Sequence, residues 1–174
     1  MSHPSGHKKS ARKIRIYTDG AIRPAQGVSG LAAIARDETG RICYWWSGKA
    51  GALTCNEAEY AAAIFALEQL QKLPDYKSIT EIEIFSDSKV MVDQMSGRAA
   101  AHAPGLRQAM ARLRALAATF PKVSFHHISR ERNRLADALA FEAVSGDYAA
   151  GPEPVLECPY PETWDQLIRL WSKS

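Results

Sequence analysis

The sequence predicts an α/β fold, a mixed sheet with helices on both of its faces. Three strand-like segments follow one another near the N-terminus, and Asp37 to Gly40 supply a hairpin turn between the second and the third. Beyond them, helix-like and strand-like segments alternate along the chain. Because crossover connections between parallel strands are right-handed, the later strands should lie parallel to the first.

The three N-terminal strands should form an antiparallel meander. Apolar residues alternate with polar ones over residues 14–18, the strand ends at Asp19, and residues 21–28 are typical of a loop. Trp45 and Trp46 are adjacent, so one should point to each face of the sheet. The second and third strands are expected over residues 31–35 and 42–46.

The first helix is expected to run from Asn56, as its N-cap, to Lys72, because Pro74 stops it. Glu59 lies three residues after Asn56, which is a capping-box spacing. The later elements are predicted as a strand over 79–85, helices over about 88–96 and 105–119, a strand over 122–128, and a helix capped by Asn133 that ends near Val144.

Charge is uneven along the 174 residues, whose net charge is +3. Residues 1–13 hold four basic residues and no acid, and we expect a disordered basic arm there; residues 14–146 should form the folded domain. Residues 147–160 are proline-rich and indicate a linker. Residues 161–174 predict a C-terminal amphipathic helix, which should either dock on its own domain or bind a protein partner. Its apolar face is Trp164, Leu167, Ile168 and Trp171.

Composition also limits the compartment and the class of function. A net charge of +3 excludes a histone-like polycation, while local basic patches still allow a nucleic-acid partner. The three cysteines form no CxxC pair, the N-terminus lacks the apolar core of a signal peptide, and no apolar run reaches the length of a membrane helix. We therefore expect a cytoplasmic protein with no membrane partner.

Four acidic residues are expected to converge at one edge of the sheet. Asp19 ends the first strand and Asp87 ends the strand beside it, where sites of open α/β sheets gather. Glu59 and Asp137 lie in the first turns of two helices. Taken singly, each acid also has a structural interpretation, such as a turn at Asp19, a capping box at Glu59 or a helix cap at Asp87.

A cluster of carboxylates needs compensation for its own charge. Unpaired, the groups repel one another and their pKa values rise, and divalent cations remove that penalty. Oxygen ligands without a cysteine or histidine set favour Mg²⁺. Two such ions can hydrolyse a phosphodiester.

Four segments, in the right order, resemble the signature of type 1 ribonuclease H, in the compact form that lacks a basic handle. They are IYTDG at 16–20, NEAEY at 56–60, IFSDS at 84–88 and RERNRLADALA at 130–140. The resemblance implies a five-stranded sheet of order 3-2-1-4-5. It also implies an endoribonuclease that cleaves the RNA strand of an RNA/DNA hybrid, with two Mg²⁺ ions, or Mn²⁺, per site. The implied catalytic and metal-binding acids are Asp19, Glu59, Asp87 and Asp137.

The resemblance assigns further roles around these acids. Many family members carry a loop histidine before the last helix that helps product release; here Arg130 is the first choice for that catalytic role and His127 the second. Asn56 looks like the family residue that touches the hybrid close to the site. The expected substrate-binding residues are Gly20, Asn56, Lys89 and Asn133.

Three other classes of function use the same fold. An ATPase or kinase would need a second phosphate-binding glycine-rich turn, which is not visible in the sequence. A non-catalytic nucleic-acid-binding module would not need the acids, yet all four positions are filled. Another nuclease, of the resolvase or integrase kind, would use similar chemistry, and the spacing of Asn56 and Glu59 on the first helix argues against it.

Overall fold

The computed structural model describes residues 11–145. In chain order the elements are β1 (Arg12–Arg23), β2 (Val28–Arg36), β3 (Ile42–Ala50), α1 (Cys55–Gln71), β4 (Ile79–Ser86), α2 (Lys89–Met95), α3 (Pro104–Ala117), β5 (Val123–His127) and α4 (Arg134–Ser145). The strands form one sheet of order β3-β2-β1-β4-β5. β1 pairs antiparallel with β2 and parallel with β4. The expected fold class and strand order are confirmed.

The domain begins slightly earlier than predicted. Arg12 and Lys13, which the sequence assigns to the basic arm, belong to β1, and Lys13 Nζ lies 3.1 Å from the Glu83 carboxylate. Residues 1–10 of the arm, the linker at 147–160 and the helix at 161–174 lie outside the described residues. Among the residues that are described, no helix combines the length and the apolar content needed to cross a membrane.

The sheet separates two apolar cores. On one face, α1, α2 and α3 cover a large cluster that includes Trp46, Leu67 and Leu113. On the other face, α4 covers a smaller cluster that includes Trp45 and Leu139. The two adjacent tryptophans therefore point to opposite faces, as the alternation of a strand requires.

The first strand is longer than its apolar alternation indicates. Residues 21–23, expected in a loop, continue β1 because they pair with residues 28–30 of β2. A short 3-10 turn and Gly27, in the left-handed region at φ 63°, close this hairpin. Asp19 therefore lies inside β1 and not at its end, which corrects the sequence prediction.

The N-cap of α1 is Thr54, not Asn56. The Thr54 hydroxyl accepts the N–H of Glu57 at 3.3 Å, and the Glu57 carboxylate accepts the N–H of Thr54 at 2.9 Å, which completes a capping box. Asn56 and Glu59 take no part in that box. The box therefore leaves both side chains available to the edge of the sheet.

Two glycines allow helices to approach the sheet closely. A Cβ atom on Gly30 would lie 2.1 Å from the carbonyl oxygen of Ala140, so any larger residue would push α4 away from β2. A Cβ atom on Gly20 would lie 2.4 Å from the backbone of Ala58, at the start of α1. These two contacts bring both helices against the central strands.

Gly30→Ala is expected to lower the free energy of unfolding by about 1–3 kcal/mol, because the added methyl overpacks the contact with α4. Gly51→Ala is the matched control, since a Cβ atom there meets nothing within 4 Å. That variant should change the free energy by less than about 0.5 kcal/mol. Urea denaturation measures both, and equal stability of the two variants would contradict the close approach.

Candidate active site

A gap opens in the sheet between β1 and β4, at the point where the pairing of these two strands ends. The pairing of β1 with β4 ends at Tyr17 opposite Phe85, whereas β1 continues along β2. Asp19 lies two residues beyond that last pair, and Asp87 directly follows β4. The two carboxylates therefore meet in the gap between neighbouring strands, where ligands of open α/β sheets bind.

Glu59 reaches the same gap from α1. The close approach at Gly20 brings the helix against β1, and the Gly20 N–H donates to the Glu59 carboxylate. The Ser86 hydroxyl, at the end of β4, donates to the same carboxylate at 3.4 Å and accepts the N–H of Ser88 at 3.0 Å. Glu59 is thus held by both strands that border the gap.

Three of the acids form a compact triad. One carboxylate oxygen from each of Asp19, Glu59 and Asp87 lies within 4.8 Å of the other two. Asp137, in the first turn of α4, is outside the triad, and its side chain is 40% exposed. Arg130 Nη2 lies 3.4 Å from Asp137 Oδ1, so the Arg130 guanidinium forms an ion pair with the acid outside the triad.

Burial and repulsion change the protonation of Asp19 and Glu59. Burial, together with the negative charges of Glu59 and Asp87, raises the pKa of Asp19 to about 9. Burial and the charge of Asp87 raise the pKa of Glu59 to about 8, although hydrogen bonds from Ser86 and Gly20 act in the opposite direction. Without a bound cation, both groups therefore hold a proton at neutral pH.

The donor chemistry fits a hard divalent cation. Every ligand atom that the triad offers is a carboxylate oxygen, with no cysteine or histidine among them. Oxygen-only donor sets favour Mg²⁺, Mn²⁺ or Ca²⁺ over softer metals. A bound cation would also offset the repulsion that raises the pKa values of Asp19 and Glu59.

Comparison with known proteins identifies the family. The family described as reverse transcriptase-like matches residues 17–143. The crystal structure of ribonuclease H1 from Halobacterium salinarum is 32% identical, with a TM-score of 0.70, and the match covers 76% of this chain and 97% of that one. This chain belongs to the type 1 ribonuclease H family.

Two other relatives agree with this assignment. LC11 ribonuclease H1, isolated from compost, is 37% identical with a TM-score of 0.70 over 75% of this chain and 96% of its own, and was crystallised with an RNA/DNA hybrid. A bifunctional protein of Mycobacterium tuberculosis is 34% identical over 133 residues, 76% of this chain. The chain spans 35% of that mycobacterial protein and 64% of the curated Halobacterium ribonuclease HI.

A cavity of about 350 Å³ opens over the carboxylates of this ribonuclease H domain. Lys89, at the start of α2, forms an ion pair with Asp93. His127 ends β5 and does not line the cavity, so the structure brings Arg130 to the acids and leaves His127 aside. The predicted substrate or product residues in the cavity lining are Gly20, Asn56, Lys89 and Arg130.

Asn133 does not have the role that the sequence suggests. Its side chain is turned inward, the residue is 1% exposed and it does not line the cavity over the carboxylates; its Nδ2 donates to the Thr18 carbonyl at 2.9 Å. That carbonyl belongs to the residue before Asp19. Asn133 therefore ties the 3-10 turn ahead of α4 to β1, and helps to place Asp137 beside the triad.

Some residues of the ribonuclease H site carry no clear sequence signal. Cys55 and Val90 line the cavity, and the Ser86 hydroxyl donates to the Glu59 carboxylate. Ser86 directly precedes an acid at a strand end, which is the only pattern that singles it out. Cys55 and Val90 follow no pattern, since their place depends on how two helices begin.

Asp19→Asn is expected to raise the free energy of unfolding of the metal-free domain, and to raise it more as pH increases. An acid whose pKa is raised in the folded state stabilises the fold fully below its ordinary value, 3.8, and that stability is lost as pH rises through about 9. Asparagine has no charge to bury. The difference between variant and wild type should therefore grow over this pH range.

Asp37→Asn is the control with the opposite sign. Burial alone would raise the pKa of Asp37, but hydrogen bonds from Thr39 and Arg41 outweigh it and lower the pKa. That carboxylate stabilises the fold above its ordinary pKa, so its loss should destabilise the domain at neutral pH. Urea titrations in a chelator measure both variants. A pH-independent difference for Asp19→Asn would contradict the raised pKa.

Proposed function

We propose that this chain is an endoribonuclease that hydrolyses the RNA strand of RNA/DNA hybrids, using two Mg²⁺ ions per site, with Mn²⁺ as an alternative. The observation that carries the proposal is the convergence of three carboxylates, one buried and two half-buried, with Asp137 beside them, under an open cavity. Membership of the family and the hybrid bound to the LC11 relative support the substrate class.

The acids would hold the ions, and the rest of the cavity would hold the nucleic acid. Two divalent ions held by these acids would supply an activated water and would stabilise the charge on the leaving oxygen. Glu59 is kept in place by Gly20 and Ser86, so it does not need to reorganise when substrate arrives. The proposed ligands are Asp19, Glu59, Asp87 and Asp137.

Three side chains at the rim of the cavity would orient the strand. The Arg130 side chain is 76% exposed and extends beside Asp137, where it can contact a phosphate oxygen of the cleaved strand. The Lys89 side chain is 71% exposed and offers a second cation. The Asn56 amide offers both a donor and an acceptor to a base or a ribose hydroxyl.

We place this activity in the cytoplasm. The support is the cysteine pattern, since Cys43 and Cys55 are both free thiols. A protein partner or self-docking through residues 161–174 stays a prediction, because that segment lies outside the described residues.

Asp87→Asn should abolish Mg²⁺-dependent cleavage of a labelled RNA/DNA hybrid. Mutating a residue that only hydrogen-bonds to a metal ligand typically lowers activity by about 10–100-fold, so the loss of a ligand itself should exceed about 100-fold. The fold should persist, as judged by circular dichroism and the melting temperature. Double-stranded RNA and double-stranded DNA of the same sequence test the substrate class. Full activity of the variant, or failure of the wild type to cut the hybrid with either Mg²⁺ or Mn²⁺, would refute the proposal.

Arg130→Gln should lower kcat by about tenfold or more, because the variant loses the charge next to the reacting phosphate. His127→Gln should leave kcat close to that of the wild type, since His127 does not line the cavity. Steady-state cleavage of the hybrid measures both. The reverse ranking of the two variants would show that the loop histidine role belongs to His127.

A further inference from the structure

A second concave surface lies behind the 3-10 turn Arg130–Asn133, on the face of the sheet that α4 covers. It is a cavity of about 390 Å³. Strands β1 and β2, the hairpin turn at Gly40 and the start of α4 form its walls. Its lining residues are Tyr17, Ile34, Arg36, Gly40 and residues 131–136.

The lining of this second cavity is basic. Three arginines, Arg36, Arg132 and Arg134, face one carboxylate, that of Glu131. Arg132 and Arg134 are exposed, so their guanidinium groups are available to a ligand from solvent. The cavity therefore carries a net positive charge although the folded domain is nearly neutral.

Arg36 is held ready for an anion. Its Nη1 donates to the Gly40 carbonyl at 2.8 Å, and its Cζ lies 5.7 Å from the centroid of the Tyr17 ring. The Gly40 bond leaves most of the N–H groups of the guanidinium fork unused. A guanidinium fixed in this way loses little entropy when it binds a phosphate.

The two cavities share one segment of chain. Arg130 and Asp137 line the catalytic cavity, while Arg132 and Arg134, between them in sequence, line the second cavity. On β1, Tyr17 of the second cavity and Asp19 of the triad are two residues apart and lie on the same side of the strand, about 7 Å from each other along it. A nucleic-acid strand that runs from the catalytic carboxylates along this face therefore reaches the second cavity within a few nucleotides.

From this arrangement we infer that the second cavity binds the phosphate backbone of single-stranded nucleic acid that extends from the hybrid held at the catalytic carboxylates. A duplex cannot enter a cavity of about 390 Å³, whereas one backbone phosphate with its sugar can. Arg36, Arg132 and Arg134 contact the phosphate, and the half-buried Tyr17 contacts the sugar or base. The inference rests on the proposed function, since it takes the hybrid as the ligand of the catalytic cavity.

Equilibrium binding to two substrates tests this inference. One is a blunt RNA/DNA hybrid, and the other is the same hybrid with single-stranded RNA extensions at both ends. On the uncleaving Asp87→Asn background, fluorescence anisotropy should show about tenfold tighter binding of the extended hybrid, the value of one added charge-assisted contact. The difference should shrink as salt increases.

Variants of the second cavity separate this site from general electrostatics. Arg132→Glu should abolish the advantage of the extended hybrid and leave the blunt hybrid bound as before, and Arg134→Glu repeats the test if the first variant fails to fold. Lys77→Glu is the control, because it makes the same charge change on an exposed residue near the start of β4. It should keep the full advantage.

Three results would overturn the inference. The first is equal affinity of the parent protein for the two hybrids, and the second is an advantage that survives both arginine variants. The third is saturation of the cavity by inorganic phosphate with no effect of the extensions, which would indicate a site for a small anion. Cleavage of the blunt hybrid by the wild type reports on the proposed function separately, so the two failures are distinguishable.

Discussion

Repulsion among clustered carboxylates is the constraint on which this site depends. Asp19, Glu59 and Asp87 lie within 4.8 Å of one another, and the pKa values of Asp19 and Glu59 rise to about 9 and about 8 as a result of burial and that proximity. The fold tolerates the cluster in two ways, by protonation when no cation is present and by cation binding when one is. The same repulsion that destabilises the metal-free domain is the source of affinity for a divalent ion.

The rest of the fold keeps that cluster together. Gly20 lets α1 approach β1 so closely that the Gly20 N–H donates to the Glu59 carboxylate. Gly30 gives α4 the same freedom on the opposite face of the sheet, and the buried side chain of Asn133 ties the preceding turn to the Thr18 carbonyl. Asp137 stands apart from the triad and contacts Arg130.

The sequence predicts the fold class from patterns that are local in the chain, and the strand order follows from the resemblance of four short segments to type 1 ribonuclease H. Two of the errors arise where distant segments decide the structure, and a third arises within one turn of helix. Asp19 lies inside β1 because residues 21–23 pair with β2, a contact that apolar alternation cannot reveal. Thr54 and Asn56 both favour an N-cap, and only the bonds formed with Glu57 decide between them. Asn133 faces the core because Thr18, 115 residues away in sequence, offers it a buried carbonyl.

Proton release on metal binding tests the central claim most directly. Mn²⁺ is titrated calorimetrically into the metal-free protein at pH 7 in buffers of different ionisation enthalpy, which gives the number of protons displaced for each ion bound. If Asp19 and Glu59 are protonated before the cation arrives, binding should release protons, and Asp19→Asn should reduce that number. Binding with no proton release would contradict the account, since the carboxylates would then already be ionised at neutral pH.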